Sequence, residues 1–197
     1  MDDRMNNDVE ALIAQCLNGD QTGYAGLYDL FAHSVYRLCY SLLLNREDAE
    51  DIAQETFVYA FKNLRRYDVK LSAFKTWLFT IAICRCRNTY RRQRPTLIDI
   101  AGFIQNTLHA PRNETPEARY AQRSAHDAVQ GALATLSPRL REAVVLRYGH
   151  GLTYREMADV IGCPAKTAES RVRLAHEALR GQLQANGHGL LEELANA

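Results

Sequence analysis

Thr153-Tyr154-Arg155-Glu156-Met157-Ala158-Asp159-Val160-Ile161-Gly162-Cys163-Pro164-Ala165-Lys166-Thr167-Ala168-Glu169-Ser170-Arg171-Val172-Arg173 is the stretch that decides the fold of this chain. Thr153 and Glu156 fit a capping box, the Thr side chain bonding forward and the Glu side chain bonding back. Met157, Ala158 and Ile161 give the short helix an apolar side. Gly162 suits the left-handed conformation that ends a helix, and Cys163-Pro164 makes the turn. A second helix starts near Ala165. Its inner seam is Ala168, Val172, Ala175 and Leu179; its opposite stripe is Lys166, Glu169, Ser170 and Arg173, with Arg171 on the flank. Helix, tight turn with Gly, helix presents the start of the second helix to the major groove of DNA. Arg171 and Arg173 suit guanine edges or phosphates, and Lys166, Thr167 and Ser170 suit phosphates or bases. Taken alone, the stretch also allows an ordinary helical hairpin with a solvated polar face.

Helical signals continue upstream. Gly149-His150-Gly151 breaks the chain before the motif, and Ser137-Pro138 reads as a helix start, a cap followed by Pro at the first helical position. Ala121, Ala125, Ala128, Val129 and Ala132 form a seam before that. Residues 95–117 differ: they hold three of the five prolines and the polar stretch Arg112 to Thr115. They read as a linker, with one short helix around Ile98 to Leu108. Near the N-terminus, Val9, Leu12, Ile13, Cys16 and Leu17 recur at helical spacing until Asn18-Gly19-Asp20. Tyr24, Leu27, Tyr28, Phe31, Val35, Leu38 and Leu42 extend a second stripe, and Asn45 can cap a third helix with the seam Ala53, Phe57, Ala60, Phe61 and Leu64. After a loop from Tyr67 to Ser72, Phe74, Trp77, Leu78 and Ile81 open a helix that stops before Pro95. No strand-like alternation persists. The expected architecture is all-α: two small helical domains at 1–94 and 118–185, a linker at 95–117 and a tail at 186–197.

The chain has 197 residues, 47% hydrophobic and 24% charged, as in a folded globular protein. No apolar run approaches the roughly 18 residues of a membrane helix, so no membrane insertion is expected. The Asp-rich N-terminus resembles neither a secretory signal nor a transit peptide, which makes the cytoplasm the expected compartment. The net charge of +1 would argue against a nucleic-acid partner, but it conceals segregation. Arg46 to Glu55 holds five acids against one Arg; Arg85 to Arg94 holds five Arg and no acid; Lys166 to Arg180 is moderately basic. A partner senses the distribution of charge rather than its sum, and this one implies at least two kinds of partner.

Asp48, Asp51 and Glu55 share a helix face at i, i+3, i+7. Acids near a helix N-terminus suit its dipole, but Glu55 lies two turns in, so the stripe reads as a partner surface. The Arg run follows a helix carrying Phe74, Trp77, Phe79 and Tyr90. Cations interleaved with aromatics suit opening DNA, because cations meet phosphates and flat rings meet unstacked bases. The competing reading puts Phe74 and Trp77 in the core and leaves the Arg side chains solvated.

Five cysteines cannot all pair in a disulfide framework, and Cys84 and Cys86, two apart on a helix, point to nearly opposite sides. Free buried thiols are the plain reading, redox sensing the alternative. Neither C-x-x-C nor H-x-x-x-H spacing completes a zinc site. No metal or cofactor is expected, and no nucleophile–base pair or Gly-rich phosphate loop supports an enzyme.

Together, Asp48 to Phe61, Phe74 to Arg92 and Leu136 to Leu179 resemble, in order and spacing, the extracytoplasmic function (ECF) sigma factors of bacteria. The first segment is similar to the core-polymerase-binding helix, the second to the promoter-melting and −10-reading segment, the third to the −35-reading domain. The resemblance implies that Asp48, Asp51, Gln54, Glu55, Phe57 and Val58 dock on the clamp helices of the polymerase's largest subunit. It implies a loop, Tyr67 to Ala73, that holds a flipped base, with Tyr67, Asp68, Lys70, Ser72, Lys75 and Trp77 among its contacts. Cys84, Arg85, Arg87, Asn88, Arg91 and Arg92 would grip the −10 region, and Lys166, Thr167, Glu169, Ser170, Arg171 and Arg173 would read the −35 element. It further implies an anti-sigma protein covering these faces, and a linker that threads along the polymerase. The chain departs from the family's pattern at Cys84, usually Asn, at Asn88, usually Asp, and at Leu174 and His176, usually basic. Those changes bear on which promoter is read. A helix-turn-helix regulator that never joins the polymerase is the alternative; it leaves the acidic and aromatic-Arg helices unexplained.

Overall fold

A computed structural model describes residues 2–92 and 128–185, and among these residues all regular structure is helical. The helices are α1 (Asp2–Leu17), α2 (Gln21–Leu43), α3 (Arg46–Lys62), α4 (Phe74–Arg92), α5 (residues 128–135), α6 (Pro138–Val144), α7 (Tyr154–Ile161) and α8 (Ala165–Ala185). A single 3-10 turn, Leu64–Arg66, follows α3, and a π-turn, Val145–Gly149, extends α6. The chain forms two compact units, α1–α4 and the helices from residue 128 onward. The expected linker, its short helix, Ala121, Ala125 and the tail at 186–197 lie outside the described residues.

In the first unit α2 is the central helix, packed against α1, α3 and α4. Its stripe is buried at Leu27, Phe31, Val35, Leu38 and Leu42, as the helical spacing predicts, whereas Tyr28 is 46% exposed. Aromatic rings bind the layers: Tyr24 meets Phe61 at 5.1 Å and Phe31 meets Phe74 at 5.4 Å. Gly23 marks the tightest approach. A Cβ there would lie 2.7 Å from the Leu12 carbonyl oxygen and 2.9 Å from the Cys16 amide nitrogen. Both are backbone atoms, so α1 could not give way without moving as a whole. Leu17, placed on the α1 seam by its spacing, is 45% exposed; in the last turn of α1 it is Cys16, 2% exposed, that meets α2, its carbonyl accepting from the Tyr24 hydroxyl at 3.2 Å. Asn45 caps α3, its side chain accepting from the Asp48 amide at 3.0 Å.

The second unit follows the motif closely. The Glu156 amide donates to Thr153 Oγ1, and the Thr153 amide donates to Glu156 Oε2 at 2.7 Å, completing the capping box. Gly162 closes α7 at φ 69°, in the left-handed region, and its amide donates to Ala158. Ala168, Val172 and Ala175 of α8 are buried, as is Met157 of α7; Leu179 is only half-buried. Two expectations change. Ser137 starts α6 through its carbonyl, which accepts from the Leu140 and Arg141 amides, and its side chain makes no cap bond. Val129 is 56% exposed, and Leu133 fills the α5 seam instead. An alanine-rich helix has too little apolar contrast for its buried face to be read from spacing alone. Thr153→Ala should destabilise the second unit by about 1 kcal/mol, the usual cost of an N-cap hydroxyl. Chemical denaturation monitored by circular dichroism measures this, and an unchanged midpoint would deny the cap its role.

Candidate functional site

The first candidate surface lies on α3. Asp51, Gln54, Glu55 and Val58 recur at i, i+3, i+4 and i+7, so they share one face, and all four are exposed. Asp48 begins the same face and is half-buried. Phe57, expected among the docking residues, is instead 4% exposed, with its ring 4.8 Å from Tyr28 and 5.7 Å from Phe61. The reason is its position: Ala53, Phe57 and Ala60 form the side that α3 turns to the core. Phe57 reaches the surface only in the wall of a groove of about 480 Å³, shared with Tyr28, Tyr36, Asp51 and Gln54.

The second surface lies on α4. Its apolar side, Phe74, Leu78, Phe79, Ala82, Ile83 and Cys86, is buried in the first unit. Of the two readings of these aromatics, that burial favours the core for Phe74 and Phe79. Phe74 and Phe79 are 1% and 0% exposed, and the Tyr90 hydroxyl donates to the Leu42 carbonyl. Trp77 is half-buried, beside Tyr67 at 5.3 Å and Phe74 at 5.6 Å, and Tyr90 is half-buried as well. Cys84, Asn88, Arg91 and Arg92 are exposed, and Arg87 and Lys75 are half-buried. The two cysteines diverge as their spacing predicts: Cys84 is exposed and Cys86 buried.

Before α4, residues 67–73 form a compact loop. Asp68 Oδ1 accepts from the Lys70 amide at 2.9 Å, and the Tyr67 hydroxyl donates to the Ser72 carbonyl at 3.0 Å. Burial, with the carboxylates of Glu10 and Asp68 nearby, pushes the Tyr67 phenol up. It therefore stays protonated at neutral pH and remains the donor that closes the loop. Asp68 and Lys70 are exposed and Ser72 is half-buried. The loop also exposes Val69, at 46%, and Leu71, at 80%. Two aliphatic residues in a polar loop are the sequence signal for both. Arg65 and Arg66 add two exposed cations beside the loop.

Arg85 stands apart from the other arginines. Its Nη1 donates to Glu55 Oε2 at 2.5 Å, and its guanidinium lies 5.1 Å from the Tyr59 ring centroid. The acidic and basic surfaces, separate in the sequence, thus share one ion pair across α3 and α4.

The third surface is the start of α8. Lys166, Glu169 and Arg173 are exposed, and Thr167, Ser170 and Arg171 are half-buried. Ser170 Oγ donates to the Lys166 carbonyl at 2.8 Å, so its hydroxyl hydrogen is already engaged. Arg173 pairs with Glu177 one turn on, at 2.6 Å; both ends are well exposed. Such a pair contributes at most about 1 kcal/mol and yields readily to a phosphate. Arg141 went unremarked in the sequence, yet it is 8% exposed and donates to the carbonyls of Leu133, Ala134 and Leu136. Among the described residues no cluster of His, Cys, Asp or Glu could hold a metal ion, and no helix is long and apolar enough to cross a membrane.

An acidic helix face, an Arg-bearing helix after a closed loop and a helix-turn-helix are the parts that known proteins can be matched against. The chain matches sigma-70 region 2 over residues 27–96 and sigma-70 region 4 over residues 126–179. It is 30% identical over 182 residues to the ECF RNA polymerase sigma factor SigW of Bacillus subtilis, covering 89% of this chain and 97% of that one. It is 29% identical over 181 residues to the ECF RNA polymerase sigma-E factor of Escherichia coli, covering 89% and 94%. Among solved structures, CnrH in complex with the cytosolic domain of CnrY superposes with a TM-score of 0.69 at 26% identity, covering 91% of this chain and 99% of that one. The chain belongs to the ECF RNA polymerase sigma factors, the non-enzymatic initiation factors that direct RNA polymerase to promoters.

Proposed function

We propose that the three surfaces divide the work of initiation. The α3 face of Asp51, Gln54, Glu55 and Val58 docks on the clamp helices of the polymerase's largest subunit, with Asp48 at its margin. Residues 67–73 with Trp77 receive a base from the −10 element, and Arg87, Asn88, Arg91 and Arg92 bind the neighbouring backbone. Lys166, Thr167, Glu169, Ser170, Arg171 and Arg173 read the −35 element in the major groove. Residues 1–94 and 118–185 form the two reading domains, joined by 95–117, and the chain works in the cytoplasm. The observation that carries this reading is the α3 face: three polar residues and an exposed valine stand in register on a helix whose other side is core. An isolated helix-turn-helix regulator has no use for it. Co-purification of the chain with core polymerase tests the reading, and absence of a complex would end it.

The CnrH structure was solved with the cytosolic domain of CnrY. By that likeness a protein partner is expected here too, and the family resemblance makes it an anti-sigma protein that keeps the chain from the polymerase.

At the −35 element Arg171 is the side chain best placed to discriminate. It is half-buried at the flank of α8, so its guanidinium has fewer conformations to lose than that of exposed Arg173. Arg171→Ala should weaken holoenzyme binding to its promoter by about 1–3 kcal/mol if it reads a base. Gel shifts on promoters with and without the −35 element check this. An equal loss on both would assign Arg171 to the backbone or to the fold.

A further inference from the structure

We propose that Glu55 is a positioning residue that holds Arg85 away from DNA in the free chain and releases it when the polymerase docks. This inference rests on the reading of the α3 face as the docking surface. Arg85 is one of five arginines between residues 85 and 94, in a segment without acids, yet it is tied to an acid of another helix at 2.5 Å. Glu55 and Tyr59, one turn apart on α3, hold the guanidinium from two sides: the carboxylate accepts from Nη1, and the ring lies 5.1 Å from the guanidinium carbon.

The pairing is incomplete. Arg85 Nε is buried and has no hydrogen-bond partner, so the guanidinium meets the carboxylate through one nitrogen rather than the two-pronged fit it can make. Glu55 is the looser partner, with 57% of its side chain exposed against 26% for Arg85. It lies on the docking face itself, in register with Asp51 and Val58. A cation of the polymerase that pairs with Glu55 competes directly with Arg85. Docking then removes the counter-charge, and Arg85 becomes available to a phosphate of the opening strand. Linkage makes the effect reciprocal: a phosphate that takes Arg85 frees Glu55 for the polymerase.

The test measures binding of the intact chain to a labelled single strand of about 12 nucleotides by fluorescence anisotropy across a salt series. Glu55→Gln should tighten binding and steepen the salt dependence by ~0.7 in log–log slope, the signature of one further phosphate contact on a single strand. Glu55→Asp, which keeps the charge, should stay near wild type. In an Arg85→Ala background, Glu55→Gln should leave the slope unchanged. Asp51→Asn removes an equal charge from the same face without touching Arg85. If it steepens the slope as much as Glu55→Gln, the effect is general repulsion and the proposal is overturned; an unchanged slope in Glu55→Gln overturns it as well. Failure of the docking reading looks different, because Asp51→Arg would then leave core-polymerase binding intact whatever the salt series shows.

Discussion

Asp51→Arg combined with Val58→Asp is expected to lower the chain's affinity for core RNA polymerase on the order of 100-fold, about 2.7 kcal/mol. Both side chains are exposed, and neither contributes to the core of the first unit. The fold should therefore survive, and circular dichroism should match wild type. The loss comes from the interface. Reversing the charge at Asp51 sets like charges against each other, which costs several kcal/mol when they are close and shielded from water. Val58, 50% exposed, can bury its methyls only against a partner, and an Asp there would be desolvated without compensation. Asp51 is a cleaner choice than Glu55, whose carboxylate already holds Arg85. Size-exclusion co-elution or biolayer interferometry with core polymerase checks the outcome. Unchanged affinity would remove α3 as the docking surface.

Arg141→Met is expected to destabilise the second unit by about 3 kcal/mol. Arg141 Nε donates to Leu133 at 2.7 Å, and Nη2 donates to Ala134 at 3.1 Å and Leu136 at 3.2 Å. These carbonyls lie at the end of α5 and just beyond it, where the regular run of helical amide donors stops; of the three, Leu133 also accepts from the Leu136 amide at 3.2 Å. Met fills a similar volume but donates nothing: the Leu133 carbonyl keeps the Leu136 amide, and the Ala134 and Leu136 carbonyls lose the guanidinium. Arg141→Lys should recover only part of the loss, because one ammonium cannot reproduce the planar fork. Hydrogen exchange of the α6 and α8 amides reads the effect locally, without interference from the first unit. Protection within about 0.5 kcal/mol of wild type, a size typical of surface substitutions, would contradict the assignment.

Residues with strong local chemistry were the legible ones. The capping box of Thr153 and Glu156, the Gly162 stop and the Asn45 cap were readable because each depends on neighbours within a few positions. The α2 stripe was readable because a 23-residue amphipathic helix repeats its message many times. Pairings between distant segments were not. Nothing in the acid-free run from Arg85 to Arg94 reveals that Arg85 reaches Glu55, thirty positions earlier. Nor does Arg141 signal that it closes another helix, since an Arg on a short helix is ordinarily solvated. Phe57 and Phe79 show a third limit. An aromatic on a helix near a functional face can point either way, and a shift of one position, about 100° around the helix, decides between partner and core.

Transcription start mapping with core polymerase and the purified chain reads promoter direction itself. The predicted result is a set of starts absent with core polymerase alone, each lying downstream of a shared pair of −35 and −10 sequences. Those starts should disappear with the Asp51→Arg, Val58→Asp variant. Identical starts with and without the chain, or starts that persist with the variant, would contradict it.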